Sequence, residues 1–399
     1  MSSPTKEAVD FPGTTASLLL DLARGVAAIL VLLAHWKIMF FVDYPKIPSS
    51  RALFAIPYVI CSAGRQSVLI FFVLSGYLIS GSIFRSFQRG NWRWSSYLVH
   101  RLVRLWVVLI PGLVIGALWD WIGLHHLHTP SLYHGISPKS HLVDVSRTLS
   151  PSAFIGNVAF LQTLFFPTLG SNRALWSLAN EFWYYILFPL GWLSLRPGRP
   201  TSHRIIYSAL FLGLAWFLRS TILPLFPIWL AGSALALLPA LRCGNVARIA
   251  ATSVYTPLVF LFAKTNFLPG LAQDYLFGAL TFLFFWIMLS ARQRCGTGWH
   301  VSLVRQTARC SYTIYIVHMP LLLLLTAFVA GDTLWSPANL PRTFIALAVL
   351  VVILAYSFLM AACTEFHTDR IRSWVERRLD LTSKIPSLQK EDKLVGAGR

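Results

Sequence analysis

Acidic residues are scarce in this chain, and charged residues of either sign are few. Its 399 residues include 15 Asp and Glu against 34 Lys and Arg, and 56% are hydrophobic while 12% are charged. This balance excludes a soluble globular domain, which needs far more charged surface, and it is typical of a polytopic membrane protein. The formal charge of +19 does not indicate nucleic-acid binding, because the basic residues are dispersed between apolar runs.

Cysteine is also sparse, and its pattern excludes two further classes of protein. The five cysteines are odd in number and scattered, with no C-x-x-C pair and no ligand-like spacing to histidine. They predict neither a disulfide framework nor a zinc site, and we expect no bound metal. The cysteines are Cys61, Cys243, Cys295, Cys310 and Cys363.

Apolar stretches long enough to cross a bilayer recur along the chain and predict an all-α polytopic membrane protein. About ten transmembrane helices are expected, near 17–41, 66–84, 101–123, 174–195, 204–221, 223–241, 246–263, 274–291, 309–330 and 341–363. The first stretch is not followed by a small-residue cleavage pattern, so we expect it to be retained as a membrane span.

The loops between these stretches alternate in charge and predict an orientation. Every second loop carries several arginines without an acidic residue, as at Arg85 and Arg89 and again at Arg196 and Arg199. The intervening loops carry fewer basic residues per length and include Asp43. The positive-inside rule therefore places both termini in the cytoplasm, with the protein in the cell's inner membrane.

Three regions are expected along the chain. Residues 1–16 form a cytoplasmic N-terminal segment, 17–363 a membrane domain, and 364–399 a cytoplasmic basic amphipathic helix followed by a disordered tail. The long outer segment between Asp120 and Arg173 contains AFIGNVAFLQTLFF, which is expected to lie in the interface or re-enter the membrane. No repeat array or second soluble domain is apparent.

Arg24 and His35 lie in one apolar run, LLLDLARGVAAILVLLAHW. Eleven helical steps return almost to the same azimuth, so both side chains share a face about 16 Å apart along the axis. Ionisable groups are costly in hydrocarbon, which places this face toward the bundle interior. Two purely structural alternatives stay open: Arg24 pairs locally with Asp21, and His35 hydrogen-bonds a helix carbonyl.

Arg101 and Arg104 stand three residues apart at the inner end of the third predicted span. Two guanidinium groups on one helix face suit bidentate binding of a polyanion such as a nucleotide-like or pyrophosphate group. Ordinary positive-inside flanking explains the same spacing, so both interpretations stay open.

Glu181 lies about two turns into the span LWSLANEFWYYILFPL and must be protonated or paired there. The predicted topology gives it a depth similar to that of His35, so the two are expected to meet as an imidazole–carboxylate pair in which the acid orients the base. A structural hydrogen bond to a neighbouring helix is the alternative.

Other interruptions of the apolar runs mark residues that could line a cavity. Ser75 and Gly76 are typical of close helix packing, and His318 lies in the middle of its span. The candidate lining residues are Ser75, Tyr77, Trp176, Tyr184, Tyr185, Tyr312 and His318. The cluster His125, His126 and His128 has no acidic or cysteine partner nearby and indicates a solvated loop.

Several of these motifs, in this order, resemble the acyltransferase-3 family of integral membrane acyltransferases. The shared segments are LDLARGVAAILVLLAH, FFVLSGYLIS, YLVHRLVRLW, ALWSLANEFWYYILFPL and SYTIYIVHMPLL. One departure is that Val99 and His100 precede R-x-x-R where members often have two arginines. Some members carry a soluble esterase-like domain after the membrane part, which is not expected here.

The resemblance implies transfer of an acyl group, commonly acetyl, from cytosolic acyl-coenzyme A to a hydroxyl of a cell-envelope glycan or related acceptor. It makes Arg24 and His35 the essential first-span pair, Arg101 and Arg104 the donor-side pair, and Glu181 the acidic position of the fourth-span block. Acyl-coenzyme A is then a co-substrate and no cofactor is tightly bound. A protein partner that accepts the acyl group is also compatible.

We expect His35 to act as general base on the acceptor hydroxyl, with a covalent acyl intermediate on His35 or a nearby tyrosine as the other route. A secondary transporter is the alternative from another functional class, since intramembrane Arg, His and Glu also build proton and substrate pathways. The absence of inverted repeats and the grouping of Arg101 with Arg104 weigh against it.

Overall fold

The computed structural model describes residues 13–47, 51–127, 129–137, 139 and 144–379; their regular secondary structure is helical, and the β-type pairings among them are isolated bridges. The helices are α1 (Thr15–Phe40), α2 (Ala55–Ile60), α3 (Gly64–Gln88), α4 (Trp94–His126), α5 (Pro130–Tyr133), α6 (Val145–Thr148), α7 (Pro151–Val158), α8 (Trp176–Leu195), α9 (Thr201–Leu218), α10 (Phe226–Leu235), α11 (Asn245–Lys264), α12 (Leu271–Met288), α13 (Trp299–Val329), α14 (Leu340–Cys363) and α15 (Thr368–Arg378).

This architecture confirms the prediction of an all-α polytopic membrane protein. Seven helical segments of the described chain are long and apolar enough to cross a membrane, and the pair α9 and α10, bent by 109°, brings the number to eight. Each of the ten predicted stretches coincides with a helix. Helix α8 is not among the eight, because polar side chains such as Asn180 and Glu181 lower its hydropathy. The count of ten and the orientation of the termini stay predictions.

Helix α1 packs mainly against α13 and α3. Thr14 caps its first turn, with the side-chain oxygen accepting from Ser17 N at 3.2 Å. Helix α4 packs against α13 through Gly112 and Gly116, where an added Cβ would meet Ile316 and Pro320. This small-xxx-small spacing brings the two helix backbones close together.

Helices α3 and α10 approach more closely still, through two glycines. A Cβ on Gly76 would collide with the carbonyl oxygen of Trp229, and one on Gly232 would collide with that of Val73. The packing role expected for Gly76 is therefore what the structure shows. The crossing fixes the neighbouring Ser75, whose Oγ accepts a hydrogen bond from Trp229 Nε1 at 3.2 Å.

Replacing Gly76 by alanine should therefore destabilise the protein, because the new methyl group meets backbone that has no rotamer to adopt. We expect a loss of about 1–3 kcal/mol, the usual cost of overpacking, seen as a lower thermal midpoint in detergent. Gly213→Ala is the matched control, since nothing lies within 4 Å of that position and alanine is the better helix former. Equal midpoints for the Gly76 variant and the wild type would contradict the crossing.

The segment that precedes α8, residues 144–175, folds back onto the bundle. Asn157 is buried and its side chain bonds Ala153 O at 2.7 Å and Pro167 O at 2.9 Å, while Asn172 Nδ2 donates to Ile316 O at 2.7 Å. These bonds fix the 3₁₀ turn Arg173–Leu175 that leads into α8. The segment thereby delivers Arg173 to the site described below.

At the other end of the chain, α15 lies where the basic amphipathic helix is predicted, with Ile371 and Trp374 exposed. Glu376 on this helix bonds His100 of α4, the residue at which the chain departs from the R-R pattern. Whether α15 rests on the membrane surface stays a prediction, and the tail expected to be disordered lies outside the described residues, as does His128.

Candidate active site

Two neighbouring cavities occupy the interface of α1, α3, α8 and α13. The cavity lined by Arg24 and Arg104 is called the inner cavity and has a volume of about 80 Å³, and the cavity lined by His35 is called the outer cavity and has one of about 590 Å³. The two names follow the predicted orientation. Val68 and Tyr315 line both, so these side chains form the boundary between them. The outer volume falls in the range of about 300–1,000 Å³ found for small-molecule sites, whereas the inner one admits only a slender group.

Arg24 and Arg104 both line the inner cavity, together with Glu181. The Arg24 guanidinium donates to Ser311 Oγ at 3.5 Å, and its Nη1 lies 4.0 Å from Asp21 Oδ1. The local Asp21 contact is thus present but long, and Arg24 still faces the cavity. Two cations in a narrow, largely apolar passage suit an anionic or strongly polarised ligand.

Arg101, in contrast, is not among the residues that line this cavity. Its Nη2 donates to Ser82 Oγ at 3.0 Å and its guanidinium lies 5.4 Å from the centre of the Tyr97 ring. The structure therefore gives the two members of the R-x-x-R pair different surroundings: although a three-residue step keeps both near one helix face, Ser82 and Tyr97 engage the Arg101 guanidinium, whereas Arg104 lines the cavity.

Glu181 sits at the end of a chain of hydrogen bonds. Trp229 Nε1 donates to Ser75 Oγ, so the Ser75 hydroxyl is directed to Glu181 Oε1, at 2.9 Å. The Tyr185 hydroxyl donates to the same carboxylate oxygen. Bonds of this kind to a charged acceptor are worth about 1.5–3 kcal/mol each, so they fix the carboxylate beside Arg24 and Arg104.

His35 lines the outer cavity, and its Nδ1 is paired with a second histidine. His318 Nε2 lies 3.0 Å from His35 Nδ1, and His318 Nδ1 lies 2.8 Å from the carbonyl oxygen of Ile314. His318 has no exposed surface, so it stands behind His35 and not in the cavity wall.

This geometry fixes the tautomers of the neutral pair. A carbonyl oxygen only accepts, so the Ile314 contact requires the proton of His318 to be on Nδ1, which leaves its Nε2 as an acceptor. His35 must then donate from Nδ1, and its Nε2 becomes the basic atom of the ring. The arrangement is that of a general base held by an orienting partner.

The prediction that His35 and Glu181 form an imidazole–carboxylate pair is therefore wrong. The structure gives His35 the imidazole of His318, and gives Glu181 the hydroxyls of Ser75 and Tyr185. The two residues line different cavities. Similar depth on two helices does not fix azimuth, and α8 turns Glu181 toward α3.

Four of the remaining predicted lining residues line one of the two cavities, and two line neither. Ser75, Tyr185 and Tyr312 line the inner cavity, and Trp176 lines the outer one. Tyr184 is instead buried in the core, where its hydroxyl donates to Ile222 O at 2.7 Å, and Tyr77 lies outside both linings at the α3–α10 crossing. Among the described residues no cluster of metal ligands is present.

Sequence reasoning missed the basic residues that line the same cavity as His35. Lys37, Arg65, Arg173 and Lys264 all line the outer cavity. Each comes from a different part of the chain and is a single basic residue beside an apolar run. On the orientation predicted from the loops they lie on the outer side, where the positive-inside rule does not expect basic residues, and this was the signal available in the sequence.

Comparison with known proteins adds two findings. Residues 18–360 match the acyltransferase-3 family, which is described as an acyltransferase domain. The chain is also 30% identical over 180 residues to an O-acetyl transferase of Shigella phage Sf6, a match that spans 45% of this chain and 47% of that relative. The matched region is thus about half the length of each protein. No solved structure matches the chain.

Proposed function

We propose that this chain, which belongs to the acyltransferase-3 family, transfers an acyl group from cytosolic acyl-coenzyme A to a hydroxyl of a cell-envelope or exported glycan. Acetyl is the first acyl group to consider. The proposal places the protein in the inner membrane with both termini in the cytoplasm. The observation that carries it is the pair of adjoining cavities, one lined by arginines and the other by an oriented histidine.

The inner cavity suits the donor. Coenzyme A carries several phosphate charges, for which Arg104 and Arg24 supply cations, and in the proposal its pantetheine arm extends from them toward the outer cavity. The thioester would then reach the boundary at Val68 and Tyr315. There the Tyr315 hydroxyl is held by Ala174 O at 3.0 Å and by Ser177 Oγ at 2.6 Å, so the boundary has a fixed shape.

The outer cavity suits the acceptor. In the proposed reaction His35 Nε2 takes the proton of the acceptor hydroxyl, whose oxygen attacks the thioester carbonyl carbon. The carbon–sulfur bond breaks, and the coenzyme A thiolate leaves and takes up a proton. An acyl group carried briefly on His35 Nε2 uses the same atom and the same cavity.

Purified protein supplied with radiolabelled acetyl-coenzyme A and glycans extracted from the producing cell tests this function. We expect label to move from coenzyme A to a glycan hydroxyl or to a protein residue. Label that stays on coenzyme A, in protein that dissipates a solute gradient when reconstituted, would replace the proposal with the transporter alternative.

The arginines allow a finer test of the donor site. Arg104→Gln should raise the Michaelis constant for acetyl-coenzyme A about tenfold, the effect of losing one charge-assisted hydrogen bond. Arg101→Gln is the matched control and should change it about threefold or less, because that guanidinium is engaged with Ser82 and Tyr97. A larger effect at Arg101 than at Arg104 would contradict the assignment of the inner cavity to the donor.

A further inference from the structure

The outer cavity carries a concentration of positive charge that the transfer reaction does not require. Its described lining includes four basic residues, Lys37, Arg65, Arg173 and Lys264, and no acidic one. They come from the end of α1, the start of α3, the turn before α8 and the end of α11. Their convergence is thus a property of the fold and not of one charged segment.

Counter-charges for this group are incomplete. Lys37 Nζ lies 3.3 Å from Asp43 Oδ1, but that carboxylate is 66% exposed and its effect is screened by water. Arg65 forms a two-point ion pair with Asp274, with Nε to Oδ1 at 3.0 Å. Lys264 has no ion-pair partner among the described residues, so its charge adds to a cavity whose described lining holds no acidic side chain.

Membrane topology does not account for these positions, and helix electrostatics accounts for only two of them, Lys37 and Lys264, which stand in the last turns of α1 and α11. On the proposed orientation they lie on the outer side, where the positive-inside rule disfavours them. Arg65 and Arg173 stand at the beginnings of helical segments, where the helix dipole also disfavours a cation. Cations held in such places indicate an anionic ligand.

We propose that the outer cavity binds a negatively charged group of the acceptor, and so selects acceptors that carry an anion near the hydroxyl presented to His35. This inference rests on the proposed function and specifies the substrate class for it. A sugar carboxylate and the diphosphate of a lipid-linked sugar offer the same chemistry, and both suit cations that surround a cavity of about 590 Å³.

Two matched pairs of probes separate these sources. One pair is trigalacturonate and its methyl ester, and the other is citronellyl-diphosphate-linked N-acetylglucosamine and the citronellyl glycoside without the diphosphate. Binding of each to the full chain in nanodiscs is measured with the wild type, Lys264→Gln and Arg173→Gln. Lys264→Arg keeps the charge, and Arg147→Gln, at a side chain 86% exposed and outside the cavity, is the matched control.

We expect the charged member of one pair to bind about tenfold more tightly than its neutral counterpart, by one charge-assisted hydrogen bond or more. The preference should disappear in Lys264→Gln and Arg173→Gln and persist in Lys264→Arg and Arg147→Gln. The pair that shows it identifies the source of the anion. Equal binding of charged and neutral members in both pairs, or equal loss in Arg147→Gln, overturns the inference.

The radiolabel assay run on the same preparation keeps the two proposals separate. Label transferred equally well to neutral and charged acceptors removes the anion preference but leaves the acyltransferase function. Absence of any transfer from acetyl-coenzyme A removes the function itself, whatever the probes bind.

Discussion

Replacing His35 by glutamine should lower acyl transfer by about 10²–10⁴-fold, the usual contribution of a general base. The reason is that Nε2 of His35 is the basic atom of the ring, because His35 Nδ1 donates to His318 Nε2 and His318 Nδ1 donates to the carbonyl oxygen of Ile314. The measurement is the rate of label transfer from acetyl-coenzyme A at saturating donor.

Donor binding should survive the same substitution, because His35 lines the outer cavity and Arg24 and Arg104 line the inner one. The Michaelis constant for acetyl-coenzyme A is therefore expected to stay within about threefold of the wild-type value. The corresponding change in binding free energy is smaller than the loss of one charge-assisted hydrogen bond. His125→Gln, an exposed histidine at the end of α4, is the control and should leave both constants unchanged. A His35 variant that lost donor affinity but kept its turnover rate would reverse the assignment of the two cavities.

His318 should have the second largest effect although it touches neither substrate in the proposed mechanism. His318→Phe removes the acceptor for His35 Nδ1–H while keeping a planar aromatic ring, so His35 loses both its orientation and its preferred tautomer. We expect the turnover rate to fall about 10²-fold, as for the loss of an orienting partner, with little change in the donor Michaelis constant.

A conservative variant distinguishes positioning from packing. In His318→Gln the amide oxygen can reach the place of Nε2 and accept from His35 Nδ1–H, so the turnover rate should recover to within about tenfold of wild type. Phe and Gln are both buried at a site with no exposed surface, and a merely structural role would favour Phe. Better activity in the Phe variant than in the Gln variant would remove the positioning role.

The sequence supports the fold well, because transmembrane segments are determined by local composition. Each apolar stretch of sufficient length coincides with a helix, and the eleven-residue step correctly places Arg24 and His35 toward the interior. Gly76 was also predicted for the right reason, since a residue without a side chain permits the close approach of α3 and α10. The family resemblance drawn from the ordered motifs is confirmed over residues 18–360.

The site was harder to predict because it depends on how helices rotate against one another. Depth along α8 follows from counting residues, but the azimuth of Glu181 depends on the α3–α10 crossing that holds Ser75 and Trp229. The same limit explains Tyr184, which was expected to line a cavity but whose hydroxyl donates to a buried carbonyl. His318 was placed in the cavity wall when its partner is His35 itself.

The outer cations show a different limit. Lys37, Arg173 and Lys264 each stand alone in the sequence, and only the tertiary structure brings them to one cavity. A single basic residue at the end of an apolar run is ordinarily a flanking charge. On the predicted orientation they share the outer side of the membrane, which distinguishes them from the arginines of the cytoplasmic loops.

Transfer across the bilayer tests the central claim most directly. Sealed inverted vesicles expose the cytoplasmic face, so radiolabelled acetyl-coenzyme A added outside reaches only the proposed donor side. We predict that label accumulates on a hydroxylated compound within the lumen, and that vesicles carrying His35→Gln do not accumulate it. Label confined to compounds outside intact vesicles would contradict a passage from the arginine-lined cavity to the histidine-lined one.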